Sequence, residues 1–214
     1  MKGLLKQNAV FISLSLMLVI ALGLALLCVP KGDLHITLCD HHTPWRDLFF
    51  RYYTQGAEWL PYVVCLLIWV FCGTRDGITS ILSVALAGLM VQALKWPINA
   101  ARPKLWFSIH MPDVTLPAVE GVRMHEHLSF PSGHTATFFA LAFVLSIVIT
   151  KRLKENSAVS FGVQSLLFFL AVLGGYSRIY LSQHFALDVT GGLLVGLLTT
   201  LLVWVVSIKI EQRK

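Results

Sequence analysis

Long apolar stretches separated by short polar segments recur along this 214-residue chain. A helix that crosses the roughly 30 Å hydrocarbon core of a bilayer needs about 20 mostly apolar residues. Six windows approach that length, and they predict an all-α fold, an integral membrane bundle of six transmembrane helices. The predicted spans are Asn8 to Val29, Trp59 to Cys72, Gly77 to Lys95, Ser132 to Thr150, Ser160 to Tyr176 and Phe185 to Ile208.

The first two spans need further argument. The first could be mistaken for a cleaved signal, but its apolar run of about 22 residues is longer than a signal-peptide core, and no small-x-small cleavage pattern precedes Lys31. We therefore expect a retained helix. The second span has a short apolar run. The aromatic stretch LFFRYY, Leu48 to Tyr53, either extends this span or lies along the membrane interface.

The composition agrees with a membrane protein. Hydrophobic residues make up 56% of the chain and charged residues only 13%, and the mean hydropathy is +0.72. These values lie outside the range of ordinary soluble domains. The sequence contains no internal repeat and no separate soluble segment, so we expect residues 1–214 to form a single membrane domain.

Basic residues predict the orientation, since Lys and Arg are retained on the cytoplasmic side during insertion. With the N-terminus inside, the cytoplasmic segments carry a surplus of positive charge equal to the formal net charge of the whole chain, +6. The bases are Lys2, Lys6, Arg75, Lys151, Arg152, Lys154, Lys209, Arg213 and Lys214, and the acids are Asp76, Glu155 and Glu211. We expect both termini in the cytoplasm and no nucleic-acid partner.

Unusual polar residues collect at four helix ends. Because successive spans alternate in direction, the end of the third, the start of the fourth, the end of the fifth and the start of the sixth emerge on one face, the outer face in this orientation. Each residue alone could snorkel to the headgroups or cap a helix, but ionisable groups at membrane depth need partners. The residues are Lys95, Arg102, Ser132, His134, Arg178, His184 and Asp188.

Two spacings suggest how these side chains cooperate. Lys95 and Arg102 are seven residues apart, so they share a helix face if the helix persists past Pro97. His184 and Asp188 are four apart, which in a helix places the carboxylate beside the imidazole. The other ring nitrogen then offers a lone pair as nucleophile or base. The alternative is a structural ion pair that only packs the helix.

The segment PSGH, Pro131 to His134, opens the fourth span. Pro is favoured in a first helical turn, and Ser132 and Gly133 would offer unhindered backbone N–H groups to an anion at the helix N-terminus. His134 would then lie within reach to deliver a proton. Three cations, a helix N-terminus and two histidines are the parts that phosphoryl transfer requires. No carboxylate cluster suggests a divalent ion, so we expect neither a metal nor a cofactor.

These residues form three motifs that resemble the type 2 phosphatidic acid phosphatase (PAP2) superfamily, in its bacterial membrane lipid phosphatase branch. K-x6-RP appears as KWPINAARP, Lys95 to Pro103, and is followed by PSGH. SR-x5-H-x3-D appears as SRIYLSQHFALD, Ser177 to Asp188. The resemblance covers a catalytic region of about residues 77–204, and the N-terminal third carries no motif.

The resemblance implies a phosphoric ester or anhydride hydrolase with a role for each matched residue. His184 would attack phosphorus to give a phosphohistidine, and Asp188 would orient it. His134 would protonate the leaving group and later help to activate water. The phosphate oxygens would be held by Lys95, Arg102, Arg178, Ser132 and the Gly133 backbone.

A lipid phosphate is the expected substrate, because the site would lie at the membrane surface. Four substrates remain possible: undecaprenyl pyrophosphate, lipid A phosphate, phosphatidylglycerophosphate and phosphatidate. The first two are favoured because the chain has no large insertion. The loop from Lys104 to Phe130 either selects the headgroup or is an ordinary solvated loop. Its MHEHL segment, Met124 to Leu128, has too few placed ligands to predict zinc.

Two other functional classes are compatible with the same pattern. A vanadate-dependent peroxidase would use the same anion pocket, although such relatives are typically soluble. A non-catalytic lipid carrier or transporter would need no nucleophile. The sequence leaves open the oligomeric state and whether Cys28 and Cys39 pair.

Overall fold

The computed structural model describes residues 2–153 and 157–213, with nine α-helices and no strand in those ranges. Six helical segments are long and apolar enough to cross a membrane, which confirms the predicted all-α, six-span fold. The helices are α1 (Lys2–Gln7), α2 (Ala9–Cys28), α3 (Lys31–Cys39), α4 (Pro44–Cys72), α5 (Thr74–Ile98), α6 (Pro103–His110), α7 (Gly133–Thr150), α8 (Ala158–Tyr180) and α9 (Ala186–Glu211).

The second span is much longer than its apolar run. Helix α4 begins at Pro44, where the Thr43 side chain accepts the N–H of Arg46 at 3.3 Å, and it runs through Pro61 without interruption. The LFFRYY stretch therefore extends the span instead of forming a separate interfacial segment. At 1.5 Å per residue the helix is about 43 Å long, so it exceeds the hydrocarbon core. Side chains near its middle reach the site described below.

The third span ends before Arg102, which corrects the prediction of a shared helix face. Helix α5 continues past Pro97 by one residue and stops where Asn99 adopts a left-handed conformation, with φ 40° and ψ 44°. The Asn99 N–H closes the last turn on the Lys95 carbonyl at 2.9 Å. Arg102 instead caps the short helix α6, whose first residue is Pro103.

Helix α7 is the centre of the bundle, and most of its length is buried by α4, α5, α8 and α9. Helix α9 approaches it closely because two glycines face it. A Cβ added to Gly192 would lie 2.4 Å from the Ser132 carbonyl oxygen, and one added to Gly196 would lie 2.5 Å from that of Ala136. Small residues four apart allow such close helix packing in membranes, and they fix α9 against the start of α7.

Both ends of the described chain lie on the same side of the bundle, since the number of spans is even. That side is opposite the site, because Glu211 near the end of the chain pairs with Arg75 at the start of α5, whereas Lys95 lies at the other end of α5. Asp76 pairs there with Lys151 at 2.7 Å and with Arg152 at 3.7 Å, and Arg75 pairs with Glu211. Three of the charged residues used for orientation, Lys154, Glu155 and Lys214, lie outside the described residues. Cys28 and Cys39, whose pairing the sequence left open, are both free thiols.

Candidate active site

The structure brings the predicted site residues together at one end of the bundle. Lys95, Arg102, Arg178, His184 and Asp188 are all buried. His134, at the start of α7, is close enough to Lys95, Arg102, Arg178 and His184 for their charges to interact. These residues come from six separate segments: the end of α5, the cap of α6, the start of α7, the end of α8, the turn before α9 and the start of α9.

His184 lies in a tight turn before α9, so the predicted pair of residues within one helix is wrong. Helix α8 ends at Tyr180, and the N–H groups of Gln183 and His184 fold back onto the Arg178 carbonyl at 2.9 and 3.1 Å. Asp188 occupies the third position of α9. The turn nevertheless places His184 Nδ1 3.5 Å from Asp188 Oδ2. The two side chains therefore meet, but across a helix N-terminus.

The protonation state of His184 suits a nucleophile. Its ring is almost completely buried, and burial lowers its pKa to about 3 despite the opposing effect of Asp188. A pKa below the ordinary value means that the ring loses its proton well below pH 7. His184 is therefore neutral at physiological pH, with one ring nitrogen able to carry a free lone pair.

Asp188 is held rigidly by two donors that the sequence analysis did not consider. The Phe185 N–H donates to Asp188 Oδ2 at 2.8 Å, and the Ser129 hydroxyl donates to the same oxygen at 2.5 Å. Ser129 Oγ also lies 3.5 Å from His184 Nδ1. No spacing rule singles out this serine, because it comes from the loop before PSGH and reaches the pair only through the tertiary fold.

The three cations of the site lie close together without a directly paired carboxylate in the described part of the chain. Arg178 donates from Nη1 to the Thr54 hydroxyl at 2.7 Å, and its buried Nε has no hydrogen-bond partner among residues 2–153 and 157–213. Arg102 donates from Nε to the His127 carbonyl at 2.8 Å. Within the same described ranges, neither arginine nor Lys95 forms an ion pair within 4.0 Å. Such a cluster favours a bound anion.

The start of α7 also differs in one detail from the prediction. Ser132 is the N-cap and the helix begins at Gly133, so Pro131 precedes the cap instead of lying in the first turn. Ser132 Oγ accepts from the N–H of Thr135 at 3.4 Å and from its hydroxyl at 2.8 Å. The first N–H groups of a helix have no acceptor within it, so those of Gly133 and His134 fit an anion.

The loop after α6 holds Arg102 in place with backbone carbonyls. The Glu126 carbonyl accepts the Arg102 N–H at 2.8 Å, and the Gln183 side chain joins the loop by donating to the Arg123 carbonyl at 3.0 Å. His125 is exposed, and its pKa is lowered by partial desolvation and by the positive charges of Arg123 and the three cations of the site. Across the described ranges, no group of three or more His, Cys, Asp or Glu side chains is arranged to hold a metal.

Helix α3 supports the turn that carries His184. His35 is buried against the rings of Phe107 and Phe185, and its Nε2 lies 3.3 Å from the Ser182 hydroxyl. Burial lowers the pKa of His35 to about 4. Ser182 has a left-handed backbone with φ 49°. This segment carries no motif, and its role is visible only in the fold.

Helix α4 contributes two further side chains. Besides Thr54, Glu58 reaches the site, with its Oε1 3.5 Å from His134 Nε2. The two residues are one turn apart and therefore share a face of the helix. In the sequence, Glu58 is only a carboxylate directly before the apolar run that starts at Trp59. That position by itself indicates an ordinary interfacial residue.

Comparison with known proteins identifies the family. The family model of the PAP2 superfamily matches residues 76–211. Phosphatidylglycerophosphatase B of Bacillus subtilis is 32% identical over 130 residues, which are 61% of this chain and 57% of that protein, less than two thirds of its length. Lipid A 4'-phosphatase of Porphyromonas gingivalis is 26% identical over 187 residues, 86% of this chain and 75% of that protein.

A solved structure agrees with this assignment. The crystal structure of a PAP2 type phosphatidylglycerolphosphate phosphatase from Bacillus subtilis superposes with a TM-score of 0.69 at 25% identity, covering 96% of this chain and 98% of that one. The family match extends over more than half of the chain and includes all three motifs. The chain therefore belongs to the PAP2 superfamily.

Proposed function

We propose that this protein is a membrane lipid phosphatase that hydrolyses a phosphate monoester or pyrophosphate without a metal, through a phosphohistidine. The observation that carries the proposal is the neutral, buried His184 beside a fixed Asp188, together with three cations. Lys95, Arg102 and Arg178 have no carboxylate within 4.0 Å among the residues that the structure describes. All 214 residues would act as one membrane domain, with the catalytic region at about residues 77–204.

The first step forms the covalent intermediate. A ring nitrogen of His184 attacks phosphorus as the bond to the lipid oxygen breaks, and His134 gives its proton to that oxygen. Lys95, Arg102 and Arg178, with Ser132 and the Gly133 N–H, stabilise the charge on the equatorial oxygens. Asp188 stabilises the imidazole as it becomes positively charged.

The second step releases phosphate. His134, now neutral, takes a proton from water as the water oxygen attacks phosphorus and the bond to His184 breaks. His134 thereby regains the proton it lost, and His184 returns to its neutral form. The cycle is balanced without a metal ion or an external base.

The substrate is a lipid phosphate reached from the membrane surface, and undecaprenyl pyrophosphate or lipid A phosphate is the favoured choice. The similarity to lipid A 4'-phosphatase along most of the chain supports the second of these, whereas phosphatidylglycerophosphatase B supports phosphatidylglycerophosphate as a further substrate to test. We place the protein in a bacterial inner membrane with cytoplasmic termini and an outward-facing site.

Phosphate release by purified protein tests this function. The assay is done in detergent with a chelator and compares wild type, His184→Ala and a control, His110→Ala. The control alters an exposed histidine at the end of α6. The substrates are undecaprenyl pyrophosphate, lipid A, phosphatidylglycerophosphate and phosphatidate. We expect loss of at least about 1000-fold only in His184→Ala, together with loss of an acid-labile phosphoenzyme.

Other outcomes would support a different class. Turnover by folded His184→Ala protein at the wild-type rate would exclude the phosphohistidine mechanism. Halide oxidation that requires vanadate would favour a peroxidase, and lipid transfer that does not depend on His184 would favour a carrier.

A further inference from the structure

Each of the two site histidines has one carboxylate at the same distance. His184 Nδ1 lies 3.5 Å from Asp188 Oδ2, and His134 Nε2 lies 3.5 Å from Glu58 Oε1. The two carboxylates differ in their surroundings. Asp188 is buried and fixed by two donors, whereas the Glu58 side chain is 67% exposed. A fixed carboxylate can orient a ring, whereas an exposed one can act through its negative charge.

His134 requires a negative charge nearby if it is to act as an acid. Among the described residues, the charged and titratable groups that interact with its ring besides Glu58 are Arg178, His184, Lys95 and Arg102. Like charges repel, so the cationic imidazolium is disfavoured by these neighbours. Of the carboxylates in the described ranges, Glu58 alone lies within 4.0 Å of His134.

Glu58 is held toward the site by its helix. Thr54, one turn earlier in α4, accepts a hydrogen bond from Arg178 at 2.7 Å, and Glu58 is close enough to Arg178 for their charges to interact. Tyr53 of the same helix stacks on Phe138 of α7 with ring centroids 5.5 Å apart. These contacts fix α4 against α7 and α8, so Glu58 faces His134 because of the packing of the helix.

We propose that Glu58 is a positioning residue for the general acid, the counter-charge that keeps His134 protonated until the lipid oxygen leaves. The inference rests on the proposed function. When the phosphorus–oxygen bond breaks, the proton passes from His134 to the lipid oxygen, and Glu58 remains a carboxylate. In hydrolysis of the phosphohistidine, the proton from water returns to His134 beside the same carboxylate.

The dependence on the leaving group tests this role. An alkoxide must be protonated as it leaves, but 4-nitrophenolate is stable without a proton. The rate of phosphoenzyme formation is therefore measured in single turnovers with octyl phosphate and with 4-nitrophenyl phosphate. We expect Glu58→Gln to slow the reaction of octyl phosphate roughly 10-fold or more, and that of 4-nitrophenyl phosphate less than about 3-fold. Glu58→Asp, which keeps the charge, should retain more of the octyl phosphate rate.

Two controls make the test specific. Glu120→Gln removes an exposed carboxylate of the loop after α6 and should leave both rates unchanged. In a His134→Gln background, Glu58→Gln should cause no further loss with octyl phosphate, because the acid on which it acts is gone.

Different results would contradict the role of Glu58 and the proposed lipid phosphatase function. Equal losses on both substrates, or an additive loss in the His134→Gln background, would overturn the role of Glu58 alone. Failure of the wild type to form any phosphoenzyme on His184 would overturn the proposed function itself.

Discussion

A single oxygen atom organises the His184–Asp188 pair at the residue scale. Asp188 Oδ2 accepts from the Phe185 N–H and the Ser129 hydroxyl, and it also lies 3.5 Å from His184 Nδ1. Because three groups converge on one atom, the carboxylate cannot rotate without losing two hydrogen bonds. Outer partners of this kind orient a reactive ring, and their loss commonly costs a factor of 10 to 100.

Ser129→Ala tests this arrangement. Asp188 would lose one of its two donors, so the imidazole of His184 would be less well oriented, while Lys95, Arg102 and Arg178 would be unchanged. We expect kcat to fall about 10-fold with little change in KM, and Ser129→Thr to restore part of the rate. The measurement is steady-state phosphate release.

Ser108→Ala is the matched control, since Ser108 is exposed on α6 and bonds only to the Leu105 carbonyl of its own helix among the described residues. A rise in KM at unchanged kcat in Ser129→Ala would instead assign Ser129 to substrate binding.

Helix packing positions the site at the element scale. The N-terminus of α7 and the first turn of α9 meet directly, where the Ser132 N–H donates to the Asp188 carbonyl at 2.9 Å. This contact exists because Gly192 and Gly196 let the two helices approach to backbone distance. The N-terminus of α7, which we propose binds phosphate, and the His184–Asp188 pair therefore depend on the same helix interface.

Gly196→Ala should separate these helices. The added Cβ would lie 2.5 Å from the Ala136 carbonyl oxygen and 3.0 Å from the Ala140 nitrogen, and backbone atoms cannot move aside as a flexible side chain can. We expect a loss of about 1–3 kcal/mol in the free energy of unfolding. The measurement is the denaturant midpoint in detergent.

Gly88→Ala in α5 provides the comparison, because no atom lies within 4 Å of its added Cβ. It should be neutral or stabilise by up to about 1 kcal/mol. Equal destabilisation by both variants would show that the cost is not due to the close approach of α7 and α9.

The two ends of the bundle differ at the scale of the whole molecule. One end holds the cations of the site, which have no carboxylate partners within 4.0 Å in the described ranges, and the opposite end holds both chain ends and a set of ion pairs around Asp76 and Arg75. Basic residues at the latter end predict that it faces the cytoplasm. A lipid phosphatase in this orientation would act on the outer leaflet.

Two cysteines report this orientation. Cys28 is exposed at the site end of α2, and Cys72 is partly exposed at the opposite end of α4, whereas Cys39 and Cys65 are buried. In intact cells, a membrane-impermeant maleimide should label Cys28 and should reach Cys72 only after permeabilisation. Cys28→Ser and Cys72→Ser identify the labelled position. Labelling of Cys72 alone in intact cells would reverse the assignment and place the site in the cytoplasm.

The sequence by itself determined the features that depend on local composition and spacing. Apolar runs of bilayer length predicted six spans because a buried backbone in lipid must be helical. The alternation of span direction brought Lys95, His134 and Arg178 to one face, and the three motifs identified the superfamily. These inferences needed no knowledge of how the helices pack.

Only the tertiary structure decided how the site is completed. Asn99 ends α5 early, so Arg102 comes from a different segment than Lys95, and the turn before α9 removes His184 from the helix of Asp188. Ser129, Thr54 and Glu58 reach the site from loops and helices that carry no motif. Such contacts join residues far apart in the chain, and they depend on helix length, helix approach and turn geometry, which local patterns do not encode.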